Sequence, residues 1–226
     1  MSISGENKVK IKEIFASVQG EGPYVGCEQI FVRFCDCNLN CNYCDTDFKG
    51  EKEYTANSLK EHIEKYDLST VHSLSLTGGE PLIFSKFLNE FLPLVNVKKY
   101  LETNATLWKD LEKIEKHIDI ISADIKLPSS TKIKPLWTLH DKFFETAKKY
   151  NKEIFAKVVF NDEITEDEIK NCIQLAKKHE LELILQPQTK NNEILPKSTS
   201  KVFERFLSEY NHTRLIPQVH KYLGIE

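Results

Sequence analysis

The sequence lacks long apolar runs: no stretch of about 18 or more apolar residues occurs, so no segment is predicted to cross a membrane. Its first fifteen residues also lack the apolar core of a signal peptide, and we therefore expect a cytoplasmic protein. An excess of one charge is missing too, because 31 Lys and Arg nearly balance 34 Asp and Glu, leaving a net charge of −3. This balance gives no general reason to expect a nucleic-acid or membrane partner.

Internal repeats, low-complexity tracts and long linkers are absent as well, and with 226 residues this predicts a single domain over residues 1–226. Short apolar runs alternate with amphipathic helix patterns from residue 29 onward. The predicted strands cover 29–34, 72–77, 98–103, 118–124, 153–160 and 181–186, and the predicted helices lie near 58–66, 83–95, 109–117, 138–150, 165–179 and 198–209. This alternation predicts an α/β fold, namely an open partial (β/α)6-type barrel with a mainly parallel sheet or, failing that, a doubly wound sheet.

Smaller features complete this prediction. Thr165 and Glu168 have the spacing of a capping box at the start of the helix over 165–179. Residues 128–135 are predicted to form a loop, and the chain after Pro217 a short extension. The histidines outside the motifs, at 117, 140, 179 and 212, are interpreted as surface or hydrogen-bonded residues.

Polar clusters follow five of the predicted strands. A cysteine-rich segment follows the first strand, Thr77–Pro81 the second, Glu102–Asn104 the third, Asp124 to Lys126 the fourth, and Gln186 with Pro187 the sixth. The carboxyl ends of parallel strands meet at one edge of a sheet, where α/β proteins place their active sites. We therefore expect these clusters to form one site.

The six cysteines are unevenly distributed, and three of them form the pattern Cys37-x3-Cys41-x2-Cys44. Three thiolates on a short loop can surround one face of an iron–sulfur cubane and leave its fourth iron open to a small molecule. A structural zinc site, with Cys35 or Cys27 as fourth ligand, is the alternative, but zinc ribbons usually pair two C-x2-C knuckles and only one is present.

The cysteine spacing, with Tyr43 in the aromatic position, resembles the hallmark of the radical S-adenosylmethionine superfamily. The resemblance implies a [4Fe–4S] cluster whose open iron binds the methionine moiety of S-adenosylmethionine, with Tyr43 against the adenine. Thr77-Gly78-Gly79-Glu80-Pro81 is similar to the segment of that superfamily that binds the methionine amino group. Glycines allow close approach of the backbone to a ligand there.

Further motifs resemble the 7-carboxy-7-deazaguanine synthase family within that superfamily: Val18–Gly22, Arg33, the cysteine segment ending Cys-Asp-Thr, and Gln218–Lys221. The resemblance implies a lyase that converts 6-carboxy-5,6,7,8-tetrahydropterin to 7-carboxy-7-deazaguanine with loss of ammonia, in the biosynthesis of queuosine and other 7-deazapurines. A 5′-deoxyadenosyl radical would take the hydrogen from C6 of the pterin, and ring contraction would follow.

The same resemblance assigns roles to residues. Cys37, Cys41 and Cys44 would hold the cluster, and Thr46 would bind Mg²⁺. The implied cofactor-binding residues are Tyr43, Gly78, Gly79, Glu80, Asp124, Ile125, Lys126, Gln186, Pro187, Gln188 and Thr189. The implied substrate-binding residues are Val18, Gln19, Gly20, Glu21, Arg33, Thr77, His220 and Glu226. Residues 124–126 read Asp-Ile-Lys where the family is expected to have Ser-Pro-Lys, a departure that concerns Asp124 in particular.

The family also implies a homodimer and an electron donor of the flavodoxin or ferredoxin type. Two alternatives remain at this stage. An activating enzyme for glycyl-radical proteins would share the cysteine loop but would need neither Gln19–Glu21 nor the C-terminal segment. A zinc-stabilised interaction or RNA-binding module would need a fourth ligand and a basic, aromatic-rich face, and the sequence contains neither.

Overall fold

The computed structural model describes residues 7–42, 44, 52–190 and 193–225. Its strands are β1 (Val9–Val18), β2 (Glu28–Phe34), β3 (Lys52–Tyr54), β4 (Ser73–Gly78), β5 (Lys99–Thr103), β6 (Ile120–Ile125), β7 (Glu153–Phe160), β8 (Glu182–Pro187), β9 (Thr189–Lys190), β10 (Glu193–Ile194) and β11 (Thr213–Leu215). Its helices are α1 (Ala56–Ile63), α2 (Ser85–Phe91), α3 (Trp108–Ile114), α4 (Pro128–Thr131), α5 (Trp137–Lys149), α6 (Glu166–His179), α7 (Thr199–Leu207) and α8 (Val219–Leu223). The six predicted strands and six predicted helices are all present.

Nine strands form one sheet in the order β11-β8-β7-β6-β5-β4-β2-β1-β3. The seven strands from β11 to β2 are mutually parallel, while β1 pairs antiparallel with β2 and β3 antiparallel with β1. From β2 to β8 the parallel strands follow chain order, without the reversal that defines a doubly wound sheet. The mainly parallel α/β sheet is therefore confirmed, and its order is that of a partial barrel.

The two faces of the sheet differ because side chains alternate along a strand. The large core lies between the sheet and the helices and includes Leu101, Ile121 and Leu183. On the opposite, inner face, Tyr100, Ile120, Phe155 and Ile184 form a smaller apolar cluster. Two residues further along each of these strands, toward its carboxyl end, the inner-face residue is polar. These residues are Glu102, Ser122, Lys157 and Gln186. The carboxyl end of the inner face is therefore hydrophilic.

Several elements were not predicted. The antiparallel strand β1 precedes the first predicted strand, and β3, β9, β10 and β11 are short additions. The prediction of a loop over 128–135 was wrong in part, because Pro128 begins the short helix α4, a position that suits proline. The helix ends at Thr131 and is followed by Lys132, whose φ is 62°. The predicted extension after Pro217 contains the helix α8.

Two predictions about helices are confirmed. Thr165 and Glu168 form the capping box reciprocally: the Thr165 hydroxyl accepts from the Glu168 N–H at 3.2 Å, and the Glu168 carboxylate accepts from the Thr165 N–H at 2.8 Å. Cys172 is buried within α6 as a packed thiol. Over the residues that the structure describes, no helix combines the length and the apolar character needed to cross a bilayer.

Candidate active site

A cavity of about 900 Å³ opens at the carboxyl edge of the sheet, where the polar clusters were expected to meet. Three-quarters of the predicted site residues line it. These are Val18, Gln19, Gly20, Glu21, Arg33, Cys37, Cys41, Cys44, Thr77, Gly78, Gly79, Asp124, Lys126, Gln186, Gln188, Thr189 and His220. Residues separated by up to 200 positions in sequence are therefore brought to one cavity by the parallel sheet.

The cysteine loop is held in place by hydrogen bonds on both sides. The Leu39 N–H donates to Cys37 Sγ at 3.4 Å, and Asn42 N donates to the Thr131 carbonyl of α4 at 2.9 Å. The Asn104 amide lies after β5 and donates to Asn38 Oδ1 at 2.8 Å, with Cys37 Sγ 3.9 Å away. Amide donors near a ligand sulfur stabilise a thiolate and tune a cluster bound to it.

All three cysteines of the motif face this cavity, which suits a group larger than a single ion. Within the described ranges, no three or more His, Cys, Asp or Glu side chains lie together in a way that could hold one metal ion. A cubane differs from a single ion because each thiolate binds a separate iron atom, so its ligands stand further apart. Burial raises the pKa of the Cys37 and Cys41 thiols, and the nearby Lys126 ammonium opposes this shift.

The glycine pair at the end of β4, Gly78 and Gly79, packs closely against the segment that precedes the cysteine motif. Gly79 N donates to the Phe34 carbonyl and Glu80 N to the Asp36 carbonyl, each at 2.9 Å. A Cβ on Gly79 would overlap the Asp36 carbonyl, and Gly78 has a φ of 107°, so both positions require glycine. The two segments predicted to bind the cofactor are thus joined by their backbones.

Glu80 lies behind this turn and is fully buried. Its carboxylate accepts hydrogen bonds from the N–H groups of Leu82 at 3.1 Å and Asn104 at 2.7 Å, and from the Thr103 hydroxyl at 2.8 Å. Burial raises its pKa to about 7. These contacts join the ends of β4 and β5, and the contact of Glu80 with the cofactor stays a prediction.

Gln19 and Thr77, both expected to contact the substrate, converge on a third residue. Gln19 Nε2 donates to Glu102 Oε1 at 2.9 Å, and Thr77 Oγ1 donates to Glu102 Oε2 at 2.7 Å. Gln19 Oε1 in turn accepts from the Glu21 N–H at 2.9 Å. Glu102 lines the cavity but had been noted only as a polar residue at a strand end.

A chain of alternating charges crosses the floor of the cavity. Lys157 on β7 forms ion pairs with Glu21 and with Asp124, the latter at 3.2 Å. Asp124 also forms an ion pair with Lys126 at 2.7 Å. Although burial raises the pKa of Glu21, the Lys157 ammonium, assisted by Gln218 and His220, lowers it to about 2. Sequence reasoning missed Lys157, and its only signal was a lysine within the apolar strand EIFAKVVF.

The opposite wall carries an aromatic pair. Phe15 and Phe31 stack with their centroids 5.2 Å apart, and the Arg33 guanidinium lies over Phe15 at 5.6 Å. Arg33 Nε donates to Glu13 Oε1 at 2.6 Å. Sequence reasoning missed Phe15 and Glu13 as well, because β1 was not predicted.

The C-terminal segment closes one side of the cavity. Val219 N donates to the Gly20 carbonyl at 2.9 Å, and Gln218 Nε2 donates to Glu21 Oε1 at 2.7 Å. His220 lies so close to Gly20 that a Cβ there would overlap the imidazole. The tail thus contacts the predicted substrate loop directly.

Two of the remaining predicted residues, Ile125 and Pro187, do not line the cavity. Ile125 is buried in the large core, and Pro187 ends β8 without lining the cavity. Tyr43, Thr46 and Glu226 lie outside the described residues. His140 is buried and hydrogen-bonded as expected, with Nδ1 3.1 Å from the Ala105 carbonyl and Nε2 3.2 Å from the donor Lys126 N.

Comparison with known proteins agrees with this geometry. The profile of the Radical SAM superfamily matches residues 32–185. The chain is 33% identical to the 7-carboxy-7-deazaguanine synthase of Geobacter sulfurreducens, over 95% of this chain and 97% of that protein. It is 34% identical to the protein of the same name from Archaeoglobus fulgidus, over 96% and 99% of the two chains.

Solved structures share the fold. The crystal structure of QueE from Escherichia coli is similar with a TM-score of 0.65 and 18% identity, over 94% of this chain and 95% of that chain. Streptococcus suis SuiB, solved with S-adenosylmethionine, is similar with a TM-score of 0.58 and 15% identity, over 80% and 48%. At these identities the structures support the fold alone.

Proposed function

This chain belongs to the radical S-adenosylmethionine superfamily and, within it, to the 7-carboxy-7-deazaguanine synthase family, and we propose that it converts 6-carboxy-5,6,7,8-tetrahydropterin to 7-carboxy-7-deazaguanine with loss of ammonia. One observation carries the proposal. A single cavity is lined by the three motif cysteines, by the Gln19–Glu21 loop and by Arg33. A cofactor at the cysteines and a small substrate at the loop would therefore share one cavity.

The residues present fit the superfamily's cofactors. Cys37, Cys41 and Cys44 would hold a [4Fe–4S] cluster, and the backbone of Gly78 and Gly79 would lie against S-adenosylmethionine. When bound, the cluster supplies the electron for reductive cleavage of S-adenosylmethionine. The protein orients the ligands and limits the access of water.

On the substrate side, the available groups match a carboxylated pterin. Arg33 uses Nε for Glu13, and within the described residues no hydrogen bond or ion pair occupies its two terminal nitrogens, which could therefore bind a substrate carboxylate. The Glu21 carboxylate is kept ionised, and such a group accepts hydrogen bonds from ring N–H and amino groups. The Phe15 and Phe31 rings offer an apolar wall for a flat ring.

Three expectations accompany the proposal. Thr46 would bind a Mg²⁺ ion that retains much of its hydration, as this hard cation prefers. A flavodoxin- or ferredoxin-type protein would donate the electron, and the enzyme would act as a homodimer in the cytoplasm. Each stays a prediction drawn from the family.

The test is anaerobic reconstitution with iron and sulfide, followed by incubation with reductant, S-adenosylmethionine, Mg²⁺ and the pterin. We expect 7-carboxy-7-deazaguanine by mass spectrometry, and we expect Cys41→Ala to lose both iron binding and product. Cys172→Ala is the matched control, because that thiol is buried in α6 far from the motif in sequence. It should keep full iron content.

The outcomes separate the alternatives. Cleavage of S-adenosylmethionine to 5′-deoxyadenosine without the deazaguanine product would reject the substrate but keep the radical chemistry, as for an activating enzyme. A Cys41→Ala protein with full iron and activity would reject the ligand assignment.

A further inference from the structure

Lys157 occupies an unusual position for a lysine. It lies in the middle of β7, two residues beyond the apolar Phe155, and only 6% of its surface is exposed. The period of two along the strand places it on the inner face of the sheet, where it lines the cavity. Burying an ammonium group costs free energy unless the group is paired with opposite charges. The stability of a buried lysine at this position therefore depends on its ion-pair partners.

Its partners come from two different parts of the site. Glu21 belongs to the loop after β1, which is expected to bind the pterin, whereas Asp124 belongs to β6, in the segment expected to bind S-adenosylmethionine. Each carboxylate has a second partner on its own side: Gln218 of the tail donates to Glu21, and Lys126 pairs with Asp124. Lys157 is therefore the bridge between two otherwise separate groups of contacts.

The surrounding charges explain why one ammonium matters. Within the described residues, the other titratable groups that interact electrostatically with Lys157, Glu21 or Asp124 include Cys41, Tyr100, Glu102, Lys126, His140 and His220. Without Lys157, the carboxylates Glu21 and Asp124 would lose the ammonium group that pairs with both of them. Burial then raises the pKa of Glu21 without that opposing charge, because a buried carboxylate is disfavoured in its ionised form.

We propose that Lys157 is a positioning residue that couples the two halves of the site, holding Glu21 and Asp124 in register so that each ligand strengthens the binding of the other. The identities of the ligands rest on the proposed function. A ligand that orders its own carboxylate also orders Lys157, and the second carboxylate is then already in place. By linkage the effect of the first ligand on the second equals the reverse effect.

The experiment measures binding without turnover, in reconstituted protein under anaerobic conditions and without reductant. The dissociation constant of S-adenosylmethionine is determined with and without the pterin, and that of the pterin with and without S-adenosylmethionine, by calorimetry from pH 6 to 9. The variants are Lys157→Met and Lys157→Arg. Lys152→Met is the matched control, since Lys152 is a largely buried lysine paired with Glu115 at 3.3 Å and does not line the cavity.

For the native protein and Lys152→Met, we expect each ligand to tighten the other at least about 10-fold and no marked dependence on pH below 8. Lys157→Met should reduce this coupling to below about 3-fold. Its pterin affinity should also fall as the pH is lowered, because burial raises the pKa of Glu21 once the Lys157 ammonium no longer opposes that shift. Lys157→Arg should retain at least half of the coupling free energy between the two ligands, because arginine keeps the positive charge. A packing defect alone would produce neither the new pH dependence nor rescue by arginine.

Unchanged coupling and a flat pH profile in Lys157→Met would overturn the inference, as would an arginine variant equal to the methionine variant in a protein of native thermal stability. Failure of the proposed function is distinguishable. If the native protein does not bind the pterin, S-adenosylmethionine binding still tests the bridge, since Lys157→Met must then weaken that binding while Lys157→Arg largely preserves it.

Discussion

At the scale of single residues, close contacts decide which positions accept a side chain. A Cβ atom cannot be accommodated at Gly20, because it would lie 2.5 Å from the Cβ of His220 and would overlap the imidazole ring. Gly224 differs, since nothing lies within 4 Å of its Cβ position and only its φ of 64° favours glycine. The first glycine is required by the tail that packs on it, the second by its own backbone.

Gly20→Ala is therefore expected to displace α8 and to weaken pterin binding at least about 10-fold, with little change in the affinity for S-adenosylmethionine. Calorimetric titration of each ligand checks this. Gly224→Ala is the control: a left-handed non-glycine residue costs roughly 1–2 kcal/mol, but it should change pterin affinity far less. Equal losses in the two variants would show that the Gly20–His220 contact is not what matters.

At the scale of elements, the start of α6 supports the cysteine loop through α4. Glu168 is buried, accepts from Thr165 N within the capping box, and also accepts from Ser129 N of α4 at 2.7 Å. The last residue of α4, Thr131, receives the hydrogen bond from Asn42. A cap residue on one helix therefore stabilises the position of a ligand-bearing loop.

Thr165→Ala should lower the free energy of unfolding by about 1 kcal/mol, the usual cost of losing a cap. Glu168→Ala should cost more, roughly 2–3 kcal/mol, because two N–H groups lose their acceptor. It should also reduce iron retention after reconstitution. Urea unfolding of the apoprotein and iron analysis measure both effects. Glu166→Ala, in the same first turn but exposed, is the control and should leave iron retention intact.

At the scale of the whole molecule, the core keeps a neutral histidine between the helices and the sheet. Burial lowers the pKa of His140 to about 4, and the ring joins the Ala105 carbonyl after β5 to Lys126 N after β6. The unfolded chain has a histidine pKa of about 6.5. Between these values the unfolded state binds more protons, so this residue's contribution to stability rises with pH from about 4 to 6.5.

The expected consequence is a loss of up to about 3 kcal/mol of stability as the pH falls from 6.5 to 4, attributable to His140. Glu80, with its raised pKa, acts in the opposite direction between about 4.5 and 7, so the native curve alone does not isolate the histidine. His140→Gln removes this titration, and its unfolding free energy, measured by urea from pH 4 to 8, should show a flatter acid limb than the native protein. Parallel curves for the two proteins would contradict the assignment.

The α/β class, the six central strands and helices, the cysteine motif and most residues of the cavity could be predicted from the sequence. These follow from local information, namely hydrophobic period, cap chemistry and motif spacing, together with the rule that parallel strands end at one edge. The capping box at Thr165 and the packed thiol of Cys172 could likewise be predicted from the neighbouring residues in the sequence.

The pairing of charged side chains, in contrast, depends on how distant segments pack. Lys157 and Glu21 are 136 residues apart, and Gln218 and Glu21 are 197 apart, so no local pattern could pair them. The antiparallel placement of β1, which brings Phe15 and Glu13 to Arg33, depends on pairing across strands, and no spacing in the sequence encodes it.

The environment of Glu80 could not be predicted from the sequence either. Its residue type suggested a contact with a ligand, but the burial of its carboxylate and the three donors around it result from the fold. Side-chain chemistry is local, whereas burial and partnership arise only when distant segments pack together.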